Sequence, residues 1–506
     1  MNINRLILST VALSLLQSSH ASGPLPRSTP EEQGVSSRAI IDLAQAAAVD
    51  PDQSWHGFVI IRHGHIVAEG YYAPFKEGQK HLLHSLTKSF TSTAVGLAVS
   101  EGLLDIDTPL IDFFPDETPE NPGEHLRAMR LRQLLTMDTG HLEEPQGKND
   151  PTGDKSTFRQ FLDEPVELRP GTHFLYNSFG TYMLCAVLQR VTGQGMLDYL
   201  TPRVLEPLGI SGARILKSRD GVDRGAGGLY LSTMDIARFG QMLLQHGEWN
   251  GQQLVPAAWL AEATRKQVSN GSDPENDWEV GYGFQFWMNS VGGYRADGAF
   301  GQVCLVLPEY DLVVAANANL RDMGQGFHWV WDNLLPGLSN EPLPADPEAL
   351  ERLHETLASL QVPLPEGASH SAIEAGVSGK TYRLEPNFTR FDTVSFSFDG
   401  DAGIMRVAGP WGEARTPFGL GKWVAGDLAP HPSAAGIPID LAAAWSSPDT
   451  LDLWIFVEGE TRMVNLVFRF SGDNVEMKCR VPGDWVLPDF QTVIGRTKDE
   501  GPRTKD

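Results

Sequence analysis

Hydrophobic and polar positions divide the chain into regions of different predicted structure. Residues Gly57 to Tyr72 alternate with a period of two around a turn at His63–Gly64, which predicts a β-hairpin. The apolar runs Cys304 to Leu307 and Leu312 to Ala315 flank the turn residues Pro308 to Asp311 and predict a second hairpin.

The segment between the two hairpins is mostly helical in pattern. Phe179 to Val191 and Ile236 to Gln245 have apolar residues at helical spacing, and each run ends at a glycine, Gly193 or Gly247. Strands at both ends with helices between them predict an α+β domain. Its antiparallel sheet would be built from both ends of the domain, flanked by helices, with a helical lobe inserted.

The pattern changes after the second hairpin. Prolines between Pro336 and Pro347 mark a boundary, a short helix is predicted from Glu348 to Leu360, and strands with turns follow from Gly376 onward. These later strands predict a separate all-β domain. The predicted divisions are residues 1–21, 22–338, 339–375, 376–495 and 496–506: a signal peptide, an α+β domain, a linker with a short helix, a β domain and a polar tail.

The first residues are typical of an export signal. Arg5 provides a positive charge, Leu6 to Leu16 are apolar but too few to span a bilayer, and Ser19 to Ala21 have small residues where a signal peptidase cleaves. The alternative is a buried N-terminal helix. No later apolar run is long enough for a transmembrane helix. We therefore expect an exported protein, periplasmic or secreted, without stable membrane insertion.

Composition narrows the possible partners. The 506 residues have a formal net charge of −24, which disfavours nucleic acid as a partner because phosphate binding requires a basic face. Cys185, Cys304 and Cys479 are far apart in the sequence and lack the spacing of a zinc site. We predict no disulfide, no metal site and no cofactor.

The strongest chemical signal is an S-x-x-K motif formed by Ser85 and Lys88. A lysine three residues after a serine lies on the same helical face, so its amine reaches the hydroxyl, and a neighbouring base activates a serine as a nucleophile. Ser85 is the only serine in the chain with a lysine at this spacing. A surface serine and lysine on a helix would give the same pattern, so the motif alone does not decide.

Two further elements follow along the chain. Tyr176 precedes the helix predicted from Phe179, and a buried phenol beside an ammonium group has its ionised form favoured, which makes Tyr176 a candidate base. The glycine-rich run Ala296 to Gln302 precedes a strand and lets a backbone N–H approach a developing oxyanion. The alternatives are a packed tyrosine and an ordinary turn.

In this order the elements resemble the serine beta-lactamase and penicillin-binding-protein superfamily, on the branch of class C beta-lactamases and their esterase and amidase relatives. The resemblance covers about Thr29 to Leu338. Flanking segments strengthen it: His56 to Gly64, Leu134 to Gly140, Glu206 to Gly209 and Gly228 to Gly240. The C-terminal β domain resembles the lipocalin-like barrel appended to some exported members.

The resemblance implies roles for individual residues. Ser85 would be the nucleophile, Lys88 its activating amine and Tyr176 the proton shuttle. Ser178 would orient the lysine and the substrate, and the backbone N–H groups of Ser85 and Ala299 would form the oxyanion hole. The candidate substrate-binding residues are Asn177, Asp297, Gly298 and Tyr230. The loop from His141 to Thr157 is expected to overhang the site. Tyr230, Trp287 and Phe300 are candidates for an apolar pocket, although packing in the core is the favoured interpretation for each.

The chain departs from the class C pattern at two motifs. It has Tyr176-Asn177-Ser178 in place of Y-x-N, and Ala296-Asp297-Gly298 in place of a motif that begins with a cation. Both departures resemble the 6-aminohexanoate-dimer hydrolase type, so we predict an exported serine hydrolase that cleaves amide or ester bonds of small acyl substrates. The alternatives are a D,D-peptidase, D-amino-acid amidase or beta-lactamase acting on peptide-like substrates, and a ligand-binding sensor that acylates without turnover.

Overall fold

A computed structural model describes residues 25–48, 53–145, 155–387, 389–429, 431, 437–461, 463–481 and 491–497. The predicted signal peptide lies outside the described residues. So do most of the predicted polar tail and the centre of the loop predicted to overhang the site.

The α+β region is built from short strands and helices that alternate along the chain. Its strands are β1 (Gln53–Arg62), β2 (His65–Tyr71), β3 (His81–Leu82), β4 (Arg214–Ile215), β5 (Leu229–Leu231), β6 (Glu248–Trp249), β7 (Gln252–Gln253), β8 (Trp287–Met288), β9 (Tyr294–Gly298), β10 (Gln302–Leu307) and β11 (Leu312–Leu320). Its helices are α1 (Ser37–Ala46), α2 (Thr87–Ser100), α3 (Glu124–Ala128), α4 (Leu131–Thr136), α5 (Thr157–Asp163), α6 (Ser178–Thr192), α7 (Met196–Leu200), α8 (Thr233–Leu244), α9 (Ala257–Ala263) and α10 (Met323–Trp329).

The main sheet of this region is antiparallel, in the order β2-β1-β11-β10-β9-β8. Both predicted hairpins are confirmed, β1 with β2 and β10 with β11. β1 also pairs with β11, so the two ends of the domain meet in one sheet. Val59 and Ile61 of β1 pack on the helical-lobe side, whereas Phe58 and Ile60 pack on the opposite face. Both faces are therefore covered, which explains why β1 is apolar almost throughout.

Helix α2 lies at the centre of the helical lobe. Residues Thr87 to Ala98 of this helix are buried, and it packs against α6, α7 and α9. Phe90 of α2 stacks on Phe239 of α8 with ring centroids 3.9 Å apart. A Cβ atom on Gly96 would lie 2.3 Å from the Trp259 indole, so this glycine permits the close approach of α9. The helix that follows Ser85 is thus held rigidly on several sides.

The C-terminal region begins with two helices, α11 (Pro347–Ala358) and α12 (Glu374–Val377), and continues as strands. The strands are β12 (Thr381–Leu384), β13 (Thr393–Asp399), β14 (Ala402–Gly409), β15 (Gly412–Leu420), β16 (Val424–Asp427), β17 (Pro438–Ser447), β18 (Thr450–Val457), β19 (Met463–Ser471), β20 (Asn474–Arg480) and β21 (Gln491–Thr497). Consecutive strands pair antiparallel from β12 to β15 and from β16 to β21, β12 pairs with β21, and a short parallel pairing of β15 with β17 closes the ring.

The ring is a nine-stranded barrel formed by β12 to β15 and β17 to β21. β16 is not part of the ring and pairs with β17. Phe396, Phe468 and Tyr382 lie in its apolar core, as the period-two alternation of the strands predicts. The barrel also contacts the α+β domain, because Trp454, Phe456 and Met463 join the core on one face of the main sheet. An α+β domain followed by a β-barrel confirms the predicted fold class.

Candidate active site

Ser85 lies in a single 3₁₀ turn, His84–Leu86, that leads directly into α2. The turn is fixed to β5 because the Leu83 N–H donates to the Leu229 carbonyl at 2.8 Å. His84 has a φ of 48°, a left-handed conformation that side-chain-bearing residues rarely adopt. This backbone bend leaves Ser85 half-buried at the wall of a cleft, ahead of the helix.

Lys88 occupies the first turn of α2 and its amine faces Ser85. Its Nζ lies 2.9 Å from Ser85 Oγ and donates to the Ala226 carbonyl at 2.6 Å. The side chain is buried, and burial lowers the pKa of Lys88 to about 7, although the charge of Glu144 opposes the shift. Lys88 is therefore partly neutral near pH 7, and a neutral amine at this distance can accept the serine proton.

Tyr176 lies on the other side of the nucleophile. It is hydrogen-bonded to Ser85, and its ring centroid is 5.0 Å from Lys88 Nζ. Its ring stacks on Trp287 with centroids 5.5 Å apart, which fixes its direction. Burial raises the pKa of Tyr176, and the negative charges of Asp297 and Glu144 raise it further. The phenol therefore stays neutral, contrary to the ionised form that the sequence argument favours, and it serves better as a proton donor than as a base.

The two residues after Tyr176 have different surroundings. Asn177 is buried, where its Oδ1 accepts from the Gly180 N–H at 2.8 Å and its Nδ2 donates to Thr139 Oγ1 at 3.2 Å. It therefore caps α6 rather than lining the cleft, and the structure does not place it where a substrate would contact it. Ser178, the first residue of α6, does line the cleft beside Ser85.

Glu144 also lines the cleft. It belongs to the loop from His141 to Thr157 that the sequence predicts to overhang the site, although no motif singles it out. Its Oε1 accepts from the Ser178 N–H at 2.8 Å, at the N-terminus of α6. Its charge raises the pKa of Lys88 and of Tyr176. Glu144 and Ser178 are 34 positions apart in the sequence, so only the fold shows that this carboxylate lies at the start of α6 and near Lys88.

The glycine-rich run contacts the serine turn at the end of β9. A Cβ atom on Gly298 would lie 2.1 Å from the Leu83 carbonyl oxygen, so only glycine permits this approach. The next residue, Ala299, lines the cleft together with Ser85. The structure thus brings together the two residues whose backbone N–H groups are the candidate oxyanion hole. Gly298 has a packing function there.

Asp297 is buried beside Arg295 and does not line the cleft. The Arg295 Nε donates to Asp297 Oδ2 at 3.2 Å, and its other nitrogens donate to Asn289 and to the carbonyls of Met288 and Asp277. Burial raises the pKa of Asp297, and Arg295 opposes that shift.

The candidate apolar-pocket residues lie apart from one another. Tyr230 is buried on β5, with the Arg214 guanidinium 3.6 Å above its ring, and does not line the cleft. Phe300 is buried against His84 with ring centroids 5.1 Å apart. Trp287 is half-buried against Tyr176. The sequence does not distinguish these positions, because each is an aromatic residue in a strand or turn.

The cleft itself has a volume of about 480 Å³. Its described lining includes two charged side chains, Glu144 and Arg224, as well as the apolar Phe179 and the hydroxyls of Ser85 and Ser178. Within the described ranges there is no cluster of three or more acidic, histidine or cysteine side chains that could hold a metal ion, and no helix long and apolar enough to cross a membrane.

Comparison with protein-family models identifies the family of this chain. The beta-lactamase family model matches residues 48–332, which is more than half of the chain and contains every motif described above. The chain belongs to the beta-lactamase family. The resemblance inferred from the motifs is thereby confirmed, and the protein is a beta-lactamase-family hydrolase.

Individual relatives in this family differ in what they act on. The chain is 27% identical over 299 residues to 6-aminohexanoate-dimer hydrolase of Paenarthrobacter ureafaciens, covering 54% of this chain and 74% of that protein. It is 28% identical over 153 residues to lovastatin esterase of Penicillium rubens, covering 26% of this chain and 38% of that protein. The solved structure of a D-stereospecific amidohydrolase from Streptomyces sp. matches with 20% identity and a TM-score of 0.46, covering 59% of this chain and 99% of that one. The family thus includes amidase and esterase relatives.

Proposed function

We propose that this protein is a serine hydrolase that cleaves amide or ester bonds of small acyl substrates through an acyl-enzyme on Ser85. The observation that carries the proposal is the buried amine of Lys88, 2.9 Å from the Ser85 hydroxyl, with its pKa lowered to about 7. A base with a pKa near the working pH is the condition for efficient proton transfer.

Acylation begins when Ser85 Oγ attacks the acyl carbon and its proton passes to the neutral amine of Lys88. The C–O double bond opens, and the negative oxygen is held by the backbone N–H groups of Ser85 and Ala299. The carbonyl then re-forms as the C–N or C–O bond to the leaving group breaks. The proton held by Lys88 reaches that group through the neutral hydroxyl of Tyr176, which is hydrogen-bonded to Ser85.

Deacylation repeats these steps with water. A water molecule gives its proton to the Lys88 amine as its oxygen attacks the acyl-serine ester. The bond to Ser85 Oγ breaks, and the proton returns to that oxygen. The net reaction consumes one water and releases a carboxylic acid together with an amine or an alcohol, and it requires no added redox partner.

The nature of the cleft supports small substrates of limited charge. A volume of about 480 Å³ suits a molecule of drug-like or dipeptide size. The third motif, Ala296-Asp297-Gly298, begins with alanine, so it has no cation at the position where the class C pattern has one. A beta-lactam carboxylate therefore lacks the partner that the class C pattern provides, and simple amides and esters are favoured.

The decisive experiment compares hydrolysis of a p-nitrophenyl ester with that of the p-nitroanilide of the same short acyl group. The purified protein is assayed beside Ser85→Ala and a matched control, Ser92→Ala. Ser92 is a buried serine of the same helix whose hydroxyl has no hydrogen-bond partner in the described structure. We expect turnover that Ser85→Ala abolishes and Ser92→Ala retains, together with an acyl mass on Ser85 when the reaction is quenched early.

Each result separates the remaining functions. Cleavage of the ester alone indicates a carboxylesterase, and cleavage of both substrates indicates an amidase. A mass adduct that persists for hours without product release indicates the sensor that acylates but does not turn over. Activity that survives in Ser85→Ala would contradict the proposal.

Peptide-like substrates with a free carboxylate are a second candidate, favoured by one specific observation. The exposed guanidinium of Arg224 lines the same cavity as Ser85 and offers a positive charge outside the usual motif. A peptidase acting on a D-Ala-D-Ala terminus would use it to hold that carboxylate. Faster turnover of such a peptide than of the ester, lost in Arg224→Gln, would favour this function.

We also propose that the protein acts outside the cytoplasm, on the basis of its first 21 residues. The N-terminal sequence of the mature protein after expression in a host that exports it tests this. A new N-terminus near Ser22 supports export, and retention of Met1 contradicts it.

A further inference from the structure

The C-terminal barrel reaches the active site at one turn. Between β18 and β19 the chain forms the turn 458–461, which packs on the small sheet formed by β3, β5 and β4. The carbonyl of Gly459 accepts a hydrogen bond from the Leu82 N–H at 2.8 Å, three residues before the nucleophile. A Cβ atom on Gly459 would lie 2.8 Å from the Arg214 guanidinium and 3.5 Å from the Tyr230 ring, so the contact is tight.

Thr461, the last residue of this turn, contacts the neighbour of Ser85. Its Oγ1 lies 3.0 Å from His84 Nε2, and its side chain has no solvent exposure. This is a direct hydrogen bond from the barrel to the residue that precedes the nucleophile, across 377 positions of sequence. The Thr461 hydroxyl is therefore one of the contacts that hold the half-buried His84 ring, and removing it weakens that hold.

His84 also contacts the opposite wall of the cleft. Its ring lies edge-on to the Phe300 ring at 5.1 Å, and Phe300 directly follows Ala299. Both residues adopt left-handed backbone conformations, with φ of 48° for His84 and 65° for Phe300. Such conformations are unfavourable for residues with a side chain and persist only where surrounding contacts enforce them.

Each of the two candidate oxyanion donors therefore has a residue in the left-handed conformation beside it. The Ser85 N–H is preceded by the strained His84, and the Ala299 N–H is followed by the strained Phe300. Since the two rings pack on each other, a displacement of one changes the other. Gly298 adds a backbone contact between the same two segments, with Leu83.

We propose that Thr461 of the barrel is a positioning residue for catalysis, which acts through His84 to align the backbone N–H groups of Ser85 and Ala299 on the developing oxyanion. The inference rests on the proposed Ser85 acyl-enzyme function. It makes the barrel part of the catalytic apparatus rather than a separate module, because the catalytic domain alone lacks the hydroxyl that holds His84.

The test uses the full-length protein and three single variants. Thr461→Val removes the hydroxyl with little change of shape, Thr461→Ser keeps it, and Thr416→Val is the matched control. Thr416 is a fully buried barrel threonine whose hydroxyl has no hydrogen-bond partner in the described structure. We expect Thr461→Val to lower kcat about five- to tenfold, as the loss of one buried hydrogen bond suggests, with KM within twofold. Thr461→Ser and Thr416→Val should match the parent.

A second measurement separates alignment of the oxyanion hole from general loosening. The p-nitrophenyl ester is compared with its thionoester, whose sulfur accepts hydrogen bonds poorly and so depends less on the two N–H groups. Thr461→Val should lower the rate on the oxygen ester several-fold more than the rate on the thionoester. Equal losses on both substrates, or a change in KM alone, would overturn the proposal.

His84→Phe completes the test and also covers the case in which Thr461→Val does not fold. Phenylalanine keeps a ring against Phe300 but cannot bond Thr461. We expect His84→Phe to show the same loss of kcat and the same larger loss on the oxygen ester than on the thionoester, and Thr461→Val to add nothing to it in the double variant. Additive losses would contradict the inferred path. Ser85→Ala separates failure of the proposed function from failure of this inference. If turnover does not depend on Ser85, the proposed function itself fails. If it does depend on Ser85 and Thr461→Val behaves like the parent, only this inference fails.

Discussion

Two cations are fully buried near the cleft, and their surroundings are opposite. Lys88 is hydrogen-bonded to a hydroxyl and one carbonyl, and no carboxylate of the described residues forms an ion pair with it; burial lowers its pKa to about 7. Arg295 is hydrogen-bonded to Asp297, Asn289 and two carbonyls. Burial lowers the pKa of Arg295 as well, but from a value so high that the group keeps its charge.

The comparison teaches what makes a buried cation reactive. The guanidinium of Arg295 also lies 4.8 Å from the Trp278 ring and 4.3 Å from the Phe327 ring, so it is stabilised on all sides. Lys88 has less compensation: the Tyr176 ring, 5.0 Å from its amine, and the charge of Glu144 offset only part of the free energy of its burial, and the remainder appears as a lowered pKa. Burial therefore brings the pKa of Lys88 into the range of a useful base, whereas Arg295 remains charged and holds its buried neighbours by hydrogen bonds.

The strongest way to break the comparison is to give Lys88 the chemistry of Arg295. Lys88→Arg keeps a positive charge but cannot lose a proton, so we expect kcat/KM to fall about a thousandfold or more. Steady-state hydrolysis of the ester measures this. Lys266→Arg, on the exposed surface, should match the parent. Near-normal activity of Lys88→Arg would show that this residue supplies charge rather than a base.

The reverse test removes the structural cation. Arg295→Met leaves Asp297 buried without its partner and should lower the free energy of unfolding by about 3–5 kcal/mol. Urea unfolding measures the loss, and Arg38→Met, which breaks the exposed pair with Asp346, should leave the midpoint unchanged.

A double variant controls for packing. Replacing both partners, as Arg295→Met with Asp297→Leu, should recover a large part of the stability because no uncompensated charge remains. If Arg295→Met alone unfolds like the parent, the pair has no structural role.

Tyr176→Phe sharpens the assignment of the base. Because the phenol is neutral, we expect its loss to lower kcat about a hundredfold by removing the proton path, while kcat/KM still rises with pH through about 7 as Lys88 loses its proton. The pH dependence of kcat/KM in parent and variant measures this. If the limb near pH 7 disappears in Tyr176→Phe, the tyrosine is the titrating base, and if the profile and the rate are both unchanged, it takes no part.

The smallest effect concerns Glu144, the carboxylate that raises the pKa of Lys88. Its negative charge stabilises the ammonium form, so Glu144→Gln should lower the pKa of Lys88 and move the acidic limb to lower pH by up to about one unit. Activity at pH 6 should rise relative to that at pH 8. Glu143→Gln, the exposed neighbour, is the matched control, and an unchanged limb in Glu144→Gln would mean that the two charges do not interact.

Much of the fold follows from local pattern. The hairpins β1–β2 and β10–β11 and the helices α6 and α8 lie where hydrophobic periodicity predicts them, and strands follow Gly376 as predicted. Periodicity carries this information because a strand or helix must present its apolar side chains at a fixed interval to one core. The S-x-x-K motif likewise predicts the contact of Lys88 with Ser85, since one helical turn separates them.

The details of the site depend on contacts between distant segments. No local pattern indicates that Glu144 faces Lys88, that Asp297 is paired and withdrawn from the cleft, or that Asn177 caps a helix. The protonation of Tyr176 follows from burial and from two carboxylates elsewhere in the chain. Electrostatic effects act through space, so they cannot be deduced from sequence spacing.

The sequence by itself therefore determined the family, the order of the α+β and β-barrel regions and the candidate pair Ser85 and Lys88, because these rest on short motifs and on periodicity. Only the tertiary structure decided which groups are charged, which candidate residues line the cleft, and that the barrel contacts the nucleophile's neighbour. The bond from Thr461 to His84 joins residues 377 positions apart. It exists because the barrel packs on the α+β domain through Trp454 and Phe456, and burial of that interface is a property of the folded chain alone.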